Sequence, residues 1–281
     1  MNNSLLESFV VNAIKEDIGN GDHTSLACIS PDKNGKAKLL VKENGIIAGI
    51  EIAQFIFHHF DKEFRFEVFK KDGDFCKTGE TAFIVEGKSL LLLQAERLVL
   101  NVMQRMSGIA TTTHRYVEEL NGLKTKILDT RKTTPGFRFI EKEAVRIGGG
   151  HNHRFGLYDM ILIKDNHIDF AGGILQAIEN VDQYLKKNNL ALKIEIEARS
   201  LNDIEEIIKI GKVDRILIDN FSPENTKKAV KLINRKFETE SSGGITLENI
   251  RKYGECGVDY ISVGALTHHI KSLDLSLKAI D

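Results

Sequence analysis

Residues 126–167 read KILDTRKTTPGFRFIEKEAVRIGGGHNHRFGLYDMILIKDNH and contain two apolar segments separated by a basic stretch. The first segment is Ile127-Leu128, and the second spans residues 160–163 and ends at Lys164. Parallel α/β folds place their functional sites where strands end and loops begin. The pattern therefore predicts two strands whose ends form a pocket for a polyanion. The cations between the two strands are Arg131, Lys132, Arg138, Lys142, Arg146 and Arg154, together with His151 and His153.

The same alternation of strand and helix continues through the second half of the chain. Regular strand–helix alternation is typical of a parallel sheet, and the even length of the repeats favours a barrel over an open, doubly wound sheet. Six strands are visible, which is fewer than the eight of a complete barrel. They are predicted at residues 126–129, 158–164, 192–197, 215–219, 236–240 and 259–264.

The first part of the chain has a different pattern, in which strands follow one another with little helix between them. This favours an antiparallel sheet in an α+β unit. A long helix over residues 89–120 is predicted to break near Ser107-Gly108, and the domain boundary is predicted there, with domains at residues 1–108 and 109–281. The tail from Thr267 is either a last helix or a strand that returns to the first domain. The remaining elements are predicted as helices at 4–17 and 50–60 and strands at 36–41, 45–49, 64–69 and 81–85.

Composition excludes several classes of protein. The 281 residues carry a net charge of −1, so no global field attracts nucleic acid or a membrane. No aromatic residues interleave the basic cluster for base stacking. The three cysteines form no C-x-x-C motif, which argues against a disulfide framework and a zinc site and favours a reducing cytoplasm. No signal peptide is recognised, and the most apolar stretch, residues 45–57, is interrupted by Glu51 and is shorter than the ~20 residues of a spanning helix.

Arg131 and Lys132 directly follow a predicted strand. Arginine suits bidentate contacts with carboxylate or phosphate groups, and lysine acts as a point charge. Two such cations alone are most often solvated loop residues, but Arg154 and Lys164 converge from the next segment, which favours a site. Lys164 has two other interpretations: a lysine whose stem is buried and whose amine reaches solvent, or a Schiff-base lysine.

Carboxylates and histidines supply the second set of candidates. Glu195 and Glu197 lie two residues apart in a strand and therefore share a face, and Asp219 ends the next strand. Two interpretations stay open: in the structural one Glu195 pairs with a lysine of the barrel, and in the functional one Glu197 and Asp219 face the barrel mouth and hold Mg²⁺-bound phosphates or hydroxyls. His151 and His153 give only a weak metal signal, so a hydrogen-bonding role is favoured for these histidines.

Two glycine-containing turns follow the last predicted strands. Glycines let backbone amides approach a phosphate, and a helix N-terminus adds partial positive charge. Turns after the last two strands match the common phosphate site of barrels, although each turn alone could serve only to reverse the chain. The candidate phosphate ligands are Ser242, Gly243 and Gly244 in one turn and Gly264 and Ala265 in the other. No P-loop and no G-x-S-x-G motif is present.

Ordered motifs along nearly the whole chain resemble the quinolinate phosphoribosyltransferase family. The most specific are DTRKTTPGFR at 129–138, GGGHNHRFGLYD at 148–159 and KDNH at 164–167. Others are EDIG at 16–19, AER at 95–97, SGIAT at 107–111, IEIEA at 194–198, IDNF at 218–221, SSGGIT at 241–246 and SVGALTH at 262–268.

The resemblance implies an N-terminal α/β sandwich domain, a C-terminal incomplete, seven-stranded α/β barrel, and a homodimer or higher oligomer. It implies transfer of phosphoribosyl from phosphoribosyl pyrophosphate to quinolinate with decarboxylation, giving nicotinate mononucleotide in de novo NAD biosynthesis, with Mg²⁺ as cofactor. The implied quinolinate ligands are Arg131, Lys132, His153, Arg154 and Lys164, with Arg97 reaching from the neighbouring subunit. The implied ligands of phosphoribosyl pyrophosphate are Glu197, Asp219, Ser242, Gly243, Gly244, Gly264, Ala265 and His268. Catalytic roles are implied for Lys132, Lys164, Glu197 and Asp219, and metal binding, direct or indirect, for Glu197 and Asp219.

Three other interpretations of the sequence stay open. The first is a Schiff-base aldolase that uses Lys164. The second is a related phosphoribosyltransferase acting on another acid, such as nicotinate. The third is a non-enzymatic protein that binds phosphoribosyl pyrophosphate without turnover.

Overall fold

The structure is a computed structural model that describes residues 3–280. The helices are α1 (Asn3–Ile18), α2 (His23–Cys28), α3 (Ile50–Phe60), α4 (Ser89–Glu119), α5 (Arg138–Ile147), α6 (Asp165–Ala171), α7 (Ile174–Asn188), α8 (Leu201–Ile210), α9 (Pro223–Ile233), α10 (Ile250–Gly254) and α11 (Ala265–His268). The strands are β1 (Asn34–Val41), β2 (Gly45–Ile46), β3 (Arg65–Val68), β4 (Phe75–Cys76), β5 (Thr81–Lys88), β6 (Lys126–Leu128), β7 (Ile161–Ile163), β8 (Ile194–Ala198), β9 (Arg215–Asp219), β10 (Glu238–Ser242), β11 (Tyr260–Ser262) and β12 (Leu275–Ile280).

The elements form two compact units, each of which is made of more than one segment of the chain. The first unit comprises the residues up to His114, residues 133–149 and the residues from Leu266 onward. The second comprises residues 115–132 and 150–265. The division of the sequence at residue 108 stays a prediction.

The first unit is built on an antiparallel sheet with strand order β12-β1-β5-β3, and β2 and β4 form a separate pair. The tail is a strand: β12 pairs with β1 over its whole length, from Leu275 opposite Val41 to Ile280 opposite Lys36. Alternate residues of β1 are buried, as are Ala82, Phe83 and Val85 of β5, and with the fully buried Phe57 they give this sheet an apolar face.

Helix α4 runs unbroken through residues 107–108, so the predicted break is wrong. The hydroxyl of buried Ser107 accepts a hydrogen bond from the backbone N–H of Ala48 at 2.9 Å. A Cβ at Gly108 would lie 2.3 Å from the carbonyl oxygen of Lys271. Gly108 therefore permits a close approach between the helix and another segment of its own unit, and it does not end the helix.

The second unit is a parallel sheet with strand order β6-β11-β10-β9-β8-β7. Strands β7 to β11 neighbour one another in chain order, and β6, the first strand in sequence, pairs with the last, β11. This order is that of a barrel, because the chain returns to its starting strand. The apolar side chains on one face of the strands pack with those of the helices, including Ile196, Ile216, Ile204 and Ile207, all of which are fully buried.

The seventh strand implied by the family resemblance is reduced to one parallel bridge between His151 and Leu128. The backbone N–H of His151 donates to Ile127 at 2.8 Å, and that of Asp129 donates to His151 at 3.1 Å. The two-domain α/β architecture is confirmed, with six described strands in the parallel sheet and this bridge beside β6. Among the described residues, no helix is both long and apolar enough to cross a membrane.

Candidate functional site

One face of the parallel sheet is polar on three neighbouring strands. Side chains alternate along a strand, so residues two apart share a face, and the cross-strand register matches Glu195 with Arg215 and Ser242 with Asp219. The opposite face of β8 and β9 carries isoleucines, which lie on the helix side. The polar face therefore points away from the helices, to the interior of the barrel. Its residues are Glu195 and Glu197 of β8, Arg215 and Asp219 of β9, and Glu238, Glu240 and Ser242 of β10.

Lys164, Glu197 and Asp219 come together at the carboxyl ends of β7, β8 and β9. Lys164 Nζ lies 3.2 Å from Glu197 Oε1, and the backbone N–H of Asp165 donates to Glu197 Oε2 at 2.9 Å. Burial and then the charge of Glu197 raise the pKa of Asp219 above its ordinary value. A cation or a proton-donating ligand at this end of the sheet would relieve that repulsion.

Arg131 and Arg154 form a pair of neighbouring cations in the second unit. Burial lowers the pKa of Arg154, and the positive charge of Arg131 lowers it further. Arg154 Nη1 donates to the carbonyl oxygen of Met160 at 3.1 Å, which fixes the direction of the side chain. Lys132 is exposed, and its backbone N–H donates to Thr130 Oγ1 at 3.0 Å. Two adjacent guanidinium groups with restricted access to water suit a ligand that carries more than one negative charge.

His153 is held from two directions. Its backbone N–H donates to the Oδ1 of buried Asp129 at 2.8 Å. Its Nε2 lies 2.9 Å from Glu195 Oε2 and 3.5 Å from Glu240 Oε2, and both carboxylates are fully buried. The imidazole of His153 is thus fixed against the polar face of the sheet. His153 directly precedes Arg154 in the sequence.

The protonation of His153 follows from this surrounding. Burial lowers its pKa, but the hydrogen bonds and charges of Glu195 and Glu240 raise it on balance to about 9. The backbone N–H of Arg154 lies 2.7 Å from Nδ1, a contact that suits a neutral ring. The carboxylates outweigh this contact, because an unbalanced buried charge costs several kcal/mol and one backbone hydrogen bond contributes about 1. In either form Nε2–H donates to Glu195, so the ring orientation is the same.

The turn after β10 has two consecutive glycines in the left-handed region. Gly243 has φ +90°, and a Cβ there would lie 2.1 Å from Asn220 Oδ1, whereas Gly244 has φ +62° and faces open space. The Asn249 side chain donates to the Gly244 carbonyl at 3.0 Å and accepts from the Thr246 N–H at 2.9 Å. The turn is thereby fixed beside Asp219, and Gly264 and Ala265 follow β11 in the same unit.

Arg97 and His268 belong to the first unit, where Arg97 is exposed on α4 and His268 is exposed at the end of α11. Other cations of the stretch 126–167 also fall in this unit. Arg138 Nε donates to Thr133 Oγ1 at 2.9 Å, and Arg146 Nε donates to Glu143 Oε2 at 3.0 Å. The predicted polyanion pocket therefore does not gather every cation of the stretch into one unit.

The acids that could hold a metal form two sets. Among the described residues, His153, Glu195 and Glu240 could offer three ligand atoms within 4.8 Å of one another. A cation there would meet the Arg215 guanidinium, whose Nη1 lies 2.8 Å from Glu240 Oε2. Glu197 and Asp219 fit Mg²⁺ better, because they are oxygen donors at the strand ends, and burial together with the charge of Glu197 already raises the pKa of Asp219.

Sequence reasoning missed the partners of Glu195. The predicted lysine is wrong: Glu195 bonds His153, and Arg215 bonds Glu240 and Glu238. The alternation along β10 places Glu240 on the same face as Ser242, which is the signal that could have identified it. The approach of His153 to Glu195 has no local signal, because the two residues are 42 positions apart.

Comparisons with known proteins place these motifs in context. The family model described as quinolinate phosphoribosyl transferase, C-terminal domain, matches residues 109–278, and the N-terminal domain model matches residues 22–107. Nicotinate-nucleotide pyrophosphorylase [carboxylating], chloroplastic, of Arabidopsis thaliana is 46% identical over 288 residues, covering 97% of this chain and 82% of that protein. Quinolinate phosphoribosyltransferase [decarboxylating] 2a, mitochondrial, of Nicotiana tabacum is 46% identical, covering 95% of this chain and 80% of that protein. The crystal structure of NadC from Streptococcus pyogenes superposes with a TM-score of 0.93 at 38% identity, covering 100% of this chain and 99% of that one.

Proposed function

The chain belongs to the quinolinate phosphoribosyltransferase family, and on that premise we propose that it transfers phosphoribosyl from phosphoribosyl pyrophosphate to quinolinate. The ring carboxylate at C2 leaves as CO₂, and the products are nicotinate mononucleotide and pyrophosphate, in NAD biosynthesis. The observation that carries this proposal is that the two family models together match almost the whole chain. The structure adds that a cation and an acid, Lys164 and Glu197, are paired at the strand ends.

Quinolinate is a dianion, and we assign its carboxylates to the cations of the second unit. The neighbouring guanidinium groups of Arg131 and Arg154 support this assignment, since each lacks the full solvation that would screen its charge. Lys164, His153 and exposed Lys132 complete the set. Bidentate contacts from the arginines orient the pyridine ring, so that its nitrogen points at the sugar.

Phosphoribosyl pyrophosphate is assigned to Glu197, Asp219 and the two glycine-containing turns. The backbone amides of Ser242–Gly244 and Gly264–Ala265 suit the 5′-phosphate. Glu197 and Asp219 would hold Mg²⁺, directly or through the substrate, and the ion would neutralise charge on the pyrophosphate. His268 is assigned to the same substrate from the family resemblance.

The reaction needs charge stabilisation more than proton transfer. The ring nitrogen forms a bond to C1 of the ribose as the bond to pyrophosphate breaks, and positive charge develops on the sugar. Glu197 and Asp219, fixed at the ends of β8 and β9, stabilise that charge. Loss of CO₂ then leaves an electron pair at C2 beside the cationic ring nitrogen, which stabilises it, and C2 takes a proton from water to give nicotinate mononucleotide. Lys132 and Lys164 hold the carboxylates during ribosyl transfer, until the C2 group leaves as CO₂.

The assembly is proposed to be a homodimer or a higher oligomer in which Arg97 enters the site of the neighbouring subunit. Exposed apolar side chains on the second unit support an interface, with Leu157 at 68%, Tyr158 at 71% and Phe170 at 91% exposure. Strand β7 ends the described sheet, which leaves one edge to cover. We place the enzyme in the cytoplasm, because its three cysteines are free thiols.

The decisive experiment incubates the protein with quinolinate, phosphoribosyl pyrophosphate and Mg²⁺ and measures CO₂ release and nicotinate mononucleotide. The expected result is both products in equal amounts, with loss of turnover on chelation of Mg²⁺. A parallel incubation with nicotinate distinguishes a related phosphoribosyltransferase. Binding of phosphoribosyl pyrophosphate without any product would instead indicate a binding protein.

A further inference from the structure

The buried carboxylate of Glu195 has a single described hydrogen-bond partner. Its Oε2 lies 2.9 Å from His153 Nε2, whereas its Oε1 has no hydrogen-bond partner among residues 3–280. Glu195 is fully buried, and a buried carboxylate needs a compensating group. His153 supplies that group by a hydrogen bond, and the charge of Arg215 adds to it. The imidazole of His153 is itself only 7% exposed.

The negative charge of the neighbouring acid, Glu240, is neutralised by Arg215. Arg215 Nη1 lies 2.8 Å from Glu240 Oε2, and the same guanidinium lies 4.1 Å above the Tyr260 ring and contacts Glu238 at 3.2 Å. The hydrogen bonds of the Arg215 guanidinium therefore go to Glu238 and Glu240 of β10. Glu195 is left to hold the histidine, with Glu240 as a second acceptor 3.5 Å from Nε2.

The main chain of His153 is fixed as firmly as its ring. The Asp129 carboxylate accepts a hydrogen bond from the backbone N–H of His153 at 2.8 Å. His151, two residues before His153, forms a parallel β-bridge with Leu128. With backbone and ring both held, the position of the next residue, Arg154, is determined. Its guanidinium then needs only the Met160 carbonyl, 3.1 Å away, to fix its direction.

We propose that Glu195, assisted by Glu240, is a positioning residue for the dicarboxylate substrate: it holds the His153 ring and so aims His153 and Arg154 at quinolinate. The proposal rests on the proposed function, because it takes His153 and Arg154 as ligands of quinolinate. Glu195 lies two residues before Glu197 on the same face of β8 and acts through His153 without touching substrate.

The test replaces Glu195 by glutamine, which preserves shape and removes the charge. We expect Glu195→Gln to raise KM and Kd for quinolinate about 10- to 100-fold, as for a ligand-binding group displaced by about 1 Å, while KM for phosphoribosyl pyrophosphate changes less than about twofold. The matched control is Glu238→Gln, on the same face of β10 and bonded to Arg215 but not to His153, which should leave both constants unchanged.

A double-mutant cycle separates positioning from general destabilisation. In the His153→Asn background, Glu195→Gln should change KM for quinolinate by less than about twofold, because the residue through which it acts is gone. Equal effects on both substrates, full additivity with His153→Asn, or no effect of Glu195→Gln on quinolinate would each overturn the proposal.

Two further measurements keep the outcome decisive. If Glu195→Gln does not fold, as judged by circular dichroism, Glu240→Gln carries the test with the same selectivity for quinolinate and a smaller effect. Calorimetric binding of quinolinate and wild-type turnover are measured first. Wild-type protein that neither binds nor converts quinolinate would refute the proposed function, whereas an active wild type with an additive cycle would refute the positioning role alone.

Discussion

Lys164 Nζ lies 3.2 Å from Glu197 Oε1, so a cation assigned to quinolinate is paired with an acid assigned to phosphoribosyl pyrophosphate. Lys164 is about half exposed, with 49% of its side chain accessible. Glu197 is only 9% exposed, so it needs a replacement partner if Lys164 leaves, although it keeps the hydrogen bond from the Asp165 N–H. A substrate carboxylate can therefore take over the lysine when a group of the other substrate replaces the lysine beside Glu197, so that the two substrates exchange partners.

This pair gives a prediction for Glu197→Gln. We expect kcat to fall by about 100-fold or more, because the charge that stabilises the developing cation on the sugar is lost. The affinity for quinolinate should stay constant or rise up to about fivefold, because Lys164 loses its competing partner. Steady-state kinetics and calorimetry measure the two effects. Asp169→Asn, which breaks the exposed ion pair with Arg199, is the control and should change neither. Weaker quinolinate binding by Glu197→Gln would contradict the exchange of partners.

Arg154→Ala should reduce kcat/KM for quinolinate by about 30- to 150-fold, equivalent to about 2–3 kcal/mol for one charged hydrogen-bond partner. The control is Arg146→Ala, since Arg146 comes from the same basic stretch but bonds Glu143 in the first unit. Kinetics at saturating phosphoribosyl pyrophosphate give both values. A loss within twofold of wild type for Arg154→Ala would remove it from the substrate site.

The turn after β10 offers a matched pair of glycine substitutions. Gly243→Ala should lower the melting temperature and raise KM for phosphoribosyl pyrophosphate, because its Cβ would lie 2.1 Å from Asn220 Oδ1 at φ +90°. Gly244→Ala meets open space and should cost only about 1 kcal/mol of stability, from its left-handed backbone. Scanning calorimetry and kinetics compare the two variants. Equal effects of the two substitutions would show that the contact with Asn220 is not what limits this turn.

The raised pKa of His153 predicts a pH dependence of stability. A histidine with a folded-state pKa of about 9 and an ordinary value of 6.5 stabilises the folded protein fully below about pH 6.5. That stability is lost as pH rises through about 9. Urea unfolding between pH 7.5 and pH 9.5, above the pKa of about 7 to which burial raises Glu195, should show this decline, and His153→Gln should remove it.

His151 is the matched control for this titration, because burial and then the charge of Lys126 lower its pKa. His151→Gln should therefore keep the wild-type decline above pH 7.5. Wild-type stability that is flat from pH 7.5 to pH 9 would show that the backbone N–H of Arg154 keeps the His153 ring neutral.

Sequence patterns predicted the elements whose signals are local. The apolar segments around Ile163, Ile196 and Ile218 identified three strands of the parallel sheet, and the alternation along β8 placed Glu195 and Glu197 on one face. The predicted helix break at Gly108 was wrong. The glycine is required by a close tertiary contact with the backbone of Lys271, which no local sequence pattern indicates.

The part of the site that escaped prediction depends on contacts between distant segments. The sequence from Gly148 to His153 has no strand pattern, so the bridge of His151 to β6 could not be seen. The partners of Glu195 and Glu240 come from residues far along the chain, and a pairing between distant residues gives no periodic signal.

The pairing of β12 with β1 has a consequence for biosynthesis. A nascent chain released from the ribosome before Leu275 would expose the backbone donors and acceptors of β1 along one side. The N-terminal sheet is therefore completed by residues synthesised after the whole parallel sheet. Premature termination should leave an aggregation-prone strand edge and expose such products to proteolysis and chaperone binding.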